Sequence, residues 1–269
     1  MTTMAKIRKN LPPVLMFLLA GAVLLVTWIA VHHRLPEHLI FLLPTPGAVW
    51  AAAGKEAAVL ARATFNTMEG ALLGFGLAIA FGSLAALVLS LSPLVRAGLM
   101  PYLMLLQLTP IPVLAPLLVL WAGAGLPSVA LITFLICFFP LLVNTTQGLV
   151  STDRQLVELF RMWRAGRWQE LWRLRVPAAL PYFFTGLRIA AILAPIGAVI
   201  GDFSAGTSAG DGGGLGFRAY YYSTQAKYPE LYAVVAITGG LGFVSMGTVM
   251  LLSRLALGRW HDAYARNDS

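Results

Sequence analysis

The chain of 269 residues is 58% hydrophobic and 11% charged, with a mean hydropathy of +0.78. A soluble domain carries roughly 25% charged residues, so the composition excludes an ordinary water-soluble enzyme and points to a lipid solvent. The formal net charge of +8 sits at the ends of apolar runs, the pattern of membrane topology rather than of a nucleic-acid surface.

In chain order, six stretches reach the ~20 apolar residues that cross a bilayer: about 12–31, 66–90, 99–122, 128–150, 181–202 and 231–256. They predict an all-α membrane protein with six transmembrane helices in one domain over residues 1–269. The first stretch follows Lys6, Arg8 and Lys9 but outruns a 7–15-residue signal core, so it is read as a retained helix. Cys137 is the sole cysteine, which rules out an intrachain disulfide. Six spans put both termini on one side of the bilayer. A cytoplasmic assignment gives the inner segments thirteen Lys and Arg against five outside, which the positive-inside rule favours.

Two outer segments are substantial. In residues 32–65, Pro44 to Pro46 lead into an Ala-rich stretch that predicts a surface helix. His32, His33 and His38 crowd the same segment and are read as a surface cluster, with no metal site. Residues 203–230 combine Gly206, Gly210, Gly212, Gly213, Gly214 and Gly216 with Tyr220, Tyr221, Tyr222 and Tyr228. This reads either as a turning loop with interfacial anchors or as a solute-binding segment.

The third span carries Pro101, Pro110, Pro112 and Pro116. Each lacks an N–H, and the carbonyls so freed either sit against neighbouring helices or face a wet pathway. Gln107, Thr109 and Asn144 add polar character to the third and fourth spans, and Asp202 closes the fifth. With Pro110 and Pro112, these four are the translocation-path candidates.

Residues 151–180 form the most informative loop, with six arginines interleaved among Leu156, Leu159, Phe160, Trp163, Trp168, Leu171, Trp172 and Leu174. Apolar steps of three and four predict amphipathic helices, with Gly166 as the turn between two of them. Chemistry alone leaves two uses, a pair of helices lying on anionic headgroups or a docking surface for a partner protein.

From Glu158 to Pro177 the loop resembles the EAA loop of ABC-importer permeases. Leu159 and Phe160 replace the usual alanine pair, and Arg164 replaces the usual glycine. Either Gly166 takes over the turn, or the partner contact is altered. PAALPYFFTGLRIA, LPTPGAVW, LLQLTPIPVLAPLLVLWAG and FFPLLVNTTQGL resemble the nitrate/sulfonate/taurine-type branch. GGLGFRAYYYSTQAKYPELYA is closer to its pyrimidine-precursor and riboflavin members. The resemblance implies a type I permease fold in a bacterial inner membrane. It also implies a coupling helix docked on cytoplasmic ATPase subunits, an extracytoplasmic substrate-binding protein and a second permease copy. On this reading Glu158, Gly166, Arg167, Trp168 and Pro177 make the ATPase contact.

No G-x-x-x-x-G-K-[ST] phosphate loop is present. The expected role is therefore a non-enzymatic permease with no cofactor of its own, ATP and Mg being held by the partner. The alternatives are a self-powered secondary transporter or channel, and a membrane-embedded enzyme. A secondary transporter usually needs ionisable groups at membrane depth, whereas Glu69, Arg188 and Asp202 lie near span ends. No metal-ligand spacing or nucleophile–base set marks an enzyme. Arg188 is placed to reach the headgroups or to gate.

Overall fold

A computed structural model describes residues 13–205 and 213–257. Gly206, Gly210 and Gly212 lie outside the described residues, as do the basic N- and C-terminal segments. The described chain is helical, with no strand among the described residues. In order the helices are α1 (Pro13–Arg34), α2 (Pro46–Lys55), α3 (Ala57–Leu91), α4 (Pro93–Leu108), α5 (Ile111–Ala122), α6 (Leu126–Val150), α7 (Arg154–Met162), α8 (Arg167–Ala205), α9 (Leu215–Thr224) and α10 (Tyr228–Leu257). Five of them are long and apolar enough to cross a membrane, and the α4–α5 pair makes a sixth, broken candidate.

The third predicted span is present as a broken pair of helices. α4 and α5 meet at 96°. Thr109 precedes Pro110, and a residue before proline is pushed out of the helical region, while Ile111 opens α5 with Pro112 in its first turn. Thr109 accordingly adopts extended backbone, with ψ of 123°, and Pro110 is extended as the N-cap residue of α5, with ψ of 109°. The second span also begins earlier than expected, since α3 has 35 residues. The predicted turning segment after the fifth span contains α9, in which Tyr222 is buried.

The chain divides into two compact units. The first comprises residues 1–57 and 222–233. In it Thr45 caps α2, its hydroxyl accepting from the Ala48 N–H at 3.2 Å, with Pro46 pre-setting the first turn. The Trp28 indole donates to the Pro44 carbonyl at 2.9 Å, and its ring lies 5.5 Å from that of Tyr232. His32 Nδ1 donates to the Leu43 carbonyl at 2.6 Å, which occupies one nitrogen of the histidine cluster.

The second unit, residues 58–221 and 234–269, is built around α6. Gly70, Gly74, Ala78, Gly82 and Ala86 recur every four residues on one face of α3, and all are buried. Small residues at that spacing let helix backbones approach closely where lipid supplies no hydrophobic drive. A Cβ on Gly74 would stand 2.5 Å from the Ala130 carbonyl oxygen, and one on Gly82 would stand 3.3 Å from Leu141. The matching order of these contacts makes α3 parallel to α6. On the other side Gly148 meets Ala179, Gly186 meets Asn144 and Pro140, and Gly201 meets Val129. That reversed order makes α8 antiparallel to α6. The Cys137 thiol donates to the Ala190 carbonyl at 3.3 Å, adding a polar tie between α6 and α8.

Candidate functional site

Two places in the second unit gather chemistry, one at each end of α8. The first is the loop carrying α7. Asp153 caps that helix, its carboxylate accepting from the Gln155 N–H at 2.8 Å. Leu156, Leu159, Met162 and Trp163 then stand exposed at helical spacing, Trp163 at 82% of its surface. A stripe of this kind on a nine-residue helix suits insertion into a groove, where a few aromatic anchors carry most of the binding energy.

The turn after α7 stays at the position where the resembling family carries glycine. Arg164 has φ +54°, in the left-handed region, while Gly166 has φ −68°. Gly166 does sit between the helices, as expected, but as the N-cap residue of α8. Its N–H donates to the Gln169 side chain at 3.0 Å, and space for a Cβ is open. The strained residue is therefore Arg164, at a cost of about 1–2 kcal/mol.

Glu158 bonds within its own helix to Arg154 at 3.1 Å, both side chains being largely exposed. The carboxylate that braces the loop is Glu170, which is buried and paired with Arg175 across one turn of α8. That turn, Leu171–Arg175, is π-helical and runs into Pro177, whose missing N–H already interrupts the ladder. Trp168 is exposed at 67%, and Arg167 is exposed beside it. Sequence reasoning counted Trp163 in the apolar run but not among the contact residues, and it passed over Met162, although the three-residue spacing from Leu156 and Leu159 carried the signal.

The second place lies at the other end of α8. Asp202 is buried, and the Thr67 hydroxyl donates to its Oδ2 at 2.5 Å. The same hydroxyl oxygen accepts from the Leu215 N–H at 2.7 Å, and the Gly216 N–H also donates to the carboxylate. One threonine and one aspartate thus tie α3, α8 and the start of α9 together. Glycine is required at 214 and 216. A Cβ would collide with the Asp202 carboxylate at the first position and with the Val199 carbonyl oxygen at the second. Asn66, Glu69, Asp202 and Gly214 line a cavity of about 280 Å³ here.

Of the path candidates, Asp202 lines this cavity, whereas Gln107 and Asn144 do not. Gln107 is exposed on α4. The Asn144 amide donates to the Pro140 carbonyl at 2.7 Å in its own helix. Thr109, Pro110 and Pro112 mark the α4–α5 break. Thr67 and Asn66 were missed, though the run Asn66-Thr67-Met68-Glu69 in an apolar span was visible. Arg188 reaches α10, where its guanidinium donates to the buried Ser253 hydroxyl at 2.7 Å.

Residues 78–266 match the family described as binding-protein-dependent transport system inner membrane component. The chain is 38% identical to the formylaminopyrimidine transport permease protein of Halalkalibacterium halodurans, over 69% of this chain and 72% of that one. It is 36% identical to the riboflavin transport system permease protein of Chloroflexus aurantiacus, over 88% and 87%. Identity to the taurine transport system permease protein of Escherichia coli is 31%, over 68% and 65%.

Proposed function

The chain belongs to the binding-protein-dependent transport system inner membrane components, and on that premise we propose that it imports a small nitrogen heterocycle that carries at least one N–H donor. The chain is a transmembrane permease subunit of an ATP-driven ABC importer, a multi-pass inner-membrane protein that works with an ATPase and a substrate-binding protein. The observation that carries the substrate class is the cavity bearing Asn66, Glu69 and Asp202. Carboxylates accept from amino and ring N–H groups and repel sulfonate or bicarbonate. The higher identity to the pyrimidine-precursor and riboflavin permeases supports the same class.

We further propose that 1–269 acts as one permease domain in a homodimer and holds no ATP site. In this reading the α7 loop and both termini are cytoplasmic, and the loop docks on the ATPase through Met162, Trp163, Arg167 and Trp168. Glu158, Gly166 and Pro177 shape that contact from the rear.

Proteoliposomes holding the permease, its ATPase and its binding protein should take up a formylaminopyrimidine or flavin with ATP, and taurine should not compete. Omitting the ATPase should abolish uptake. Trp163→Ala should release the ATPase in pull-down more than Trp168→Ala, with Arg154→Ala unchanged. Uptake by the permease alone, or competition by taurine, would overturn the respective reading. For orientation, Cys137→Ser is combined with a single cysteine at Ser151 or Gln225. An impermeant thiol reagent added to intact cells, with the outer membrane opened, should label position 225 and spare 151. The reverse pattern would invert the topology.

A further inference from the structure

The molecule has a second polar cavity, of about 490 Å³, on the face that carries α7. Its wall includes Arg96, Arg161, Arg167 and Arg175, with Glu170 as the one carboxylate. The four arginines come from α4, α7, the first turn of α8 and the π-helical turn that follows it. Folding has therefore concentrated charge that is dispersed in the sequence.

Glu170 is already committed to Arg175. Among the described residues, no carboxylate lies within ion-pair reach of Arg96, Arg161 or Arg167. Three guanidinium groups facing one space repel one another, and an anion sharing it relieves that repulsion. The site also has a defined depth. Ser92 is the single residue between α3 and α4, and Val150 ends α6, and both line the cavity. A one-residue turn between two membrane helices marks the edge of the apolar slab, the level of lipid phosphates. Ser92 also caps the 16-residue α4, its hydroxyl oxygen accepting from the Val95 N–H at 3.4 Å. The positive end of that helix dipole therefore meets the same space.

We propose that this cavity binds a phosphate group, held by Arg96, Arg161 and Arg167 beside the Ser92 cap. Guanidinium forks match phosphate oxygens in pairs, and Arg175 stays reserved for Glu170. The phosphate belongs either to an anionic lipid headgroup or to a soluble phosphate. Occupancy would tie α7 and the start of α8 to the α3–α4 turn, stiffening the loop without touching the exposed face of Trp163.

The test uses the full-length chain in nanodiscs of phosphatidylcholine, with or without phosphatidylglycerol, and in phosphatidylcholine discs with added inorganic phosphate. Retained lipid is read by native mass spectrometry and stability by thermal unfolding. Phosphatidylglycerol should be retained and should raise the midpoint, and Arg96→Gln with Arg161→Gln should reduce retention at least about tenfold. Arg173→Gln, outside the cavity, should leave it unchanged. A rise with inorganic phosphate alone, lost in the same double variant, would identify a soluble source. Should the double variant not fold, the exposed Arg161→Gln alone serves in its place. Two results would overturn the proposal. One is equal stability and retention for all variants. The other is loss of the ATPase in pull-down with lipid and phosphate responses intact, which would make the cavity a seat for partner carboxylates.

Discussion

Gly74→Leu should all but eliminate folded protein from the membrane, while Gly76→Leu, two residues away, should leave its amount unchanged. A Cβ at position 74 would stand 2.5 Å from both the Ala130 carbonyl oxygen and Thr133 Cβ, so the obstacle includes backbone. Side chains swing aside, but a helix carbonyl does so only if the whole of α6 moves. Overpacking a close helix contact costs about 3 kcal/mol, a large part of the stability of any domain. At Gly76 nothing stands within 4 Å of the Cβ position, and the residue is exposed. The monodisperse fraction after solubilisation, with its thermal midpoint, measures both variants. Equal yields would show that α3 and α6 do not meet along the Gly70–Ala86 stripe.

Thr67→Val should cripple uptake while leaving the ATPase bound, and Thr67→Ser should restore it. Valine keeps the volume but removes the one oxygen that serves two buried partners. The Asp202 carboxylate would lose its 2.5 Å donor and the Leu215 N–H its 2.7 Å acceptor. Stranding a buried polar group costs about 1–3 kcal/mol, and more for a charged one. The Leu215 amide should then exchange with solvent at least about tenfold faster, since local opening no longer breaks that bond. Hydrogen-exchange mass spectrometry over Leu215–Tyr221 reads this directly, apart from transport. Unchanged exchange in Thr67→Val would mean that the threonine does not hold the start of α9.

The helices and the amphipathic character of the loop carrying α7 were largely legible in the sequence, because both rest on local pattern. Twenty apolar residues between basic flanks mean a membrane helix wherever they occur. The run from Leu156 to Leu174 announces amphipathic helices by its spacing. The break in the third span was signalled by Pro110 and Pro112, yet its angle depends on which torsions the neighbours allow. The Gly70–Ala86 repeat was visible but passed over, since small residues carry no hydropathy signal. Thr67 and Asp202 are separated by 135 positions, and no local rule connects them. The same holds for Arg96 and Arg161, which share a cavity only because the end of α3 and the end of α6 lie together.

The length of α8 has a mechanical meaning. It runs for 39 residues, about 58 Å at 1.5 Å per residue, from the loop carrying α7 to the turn of Asp202. Gly186 and Gly197 press its middle against α6, with Cβ positions 3.0 Å from the opposing atoms. Gly148 against Ala179 and Gly201 against Val129 continue that contact toward both ends, so α8 and α6 form one stiff pair, and a load on the Arg167 end is carried along both helices toward Asp202. The π-helical turn at Leu171–Arg175 and the prolines at 181 and 195 are the points where its backbone ladder is interrupted, and their stiffness sets how much of such a load reaches the far end.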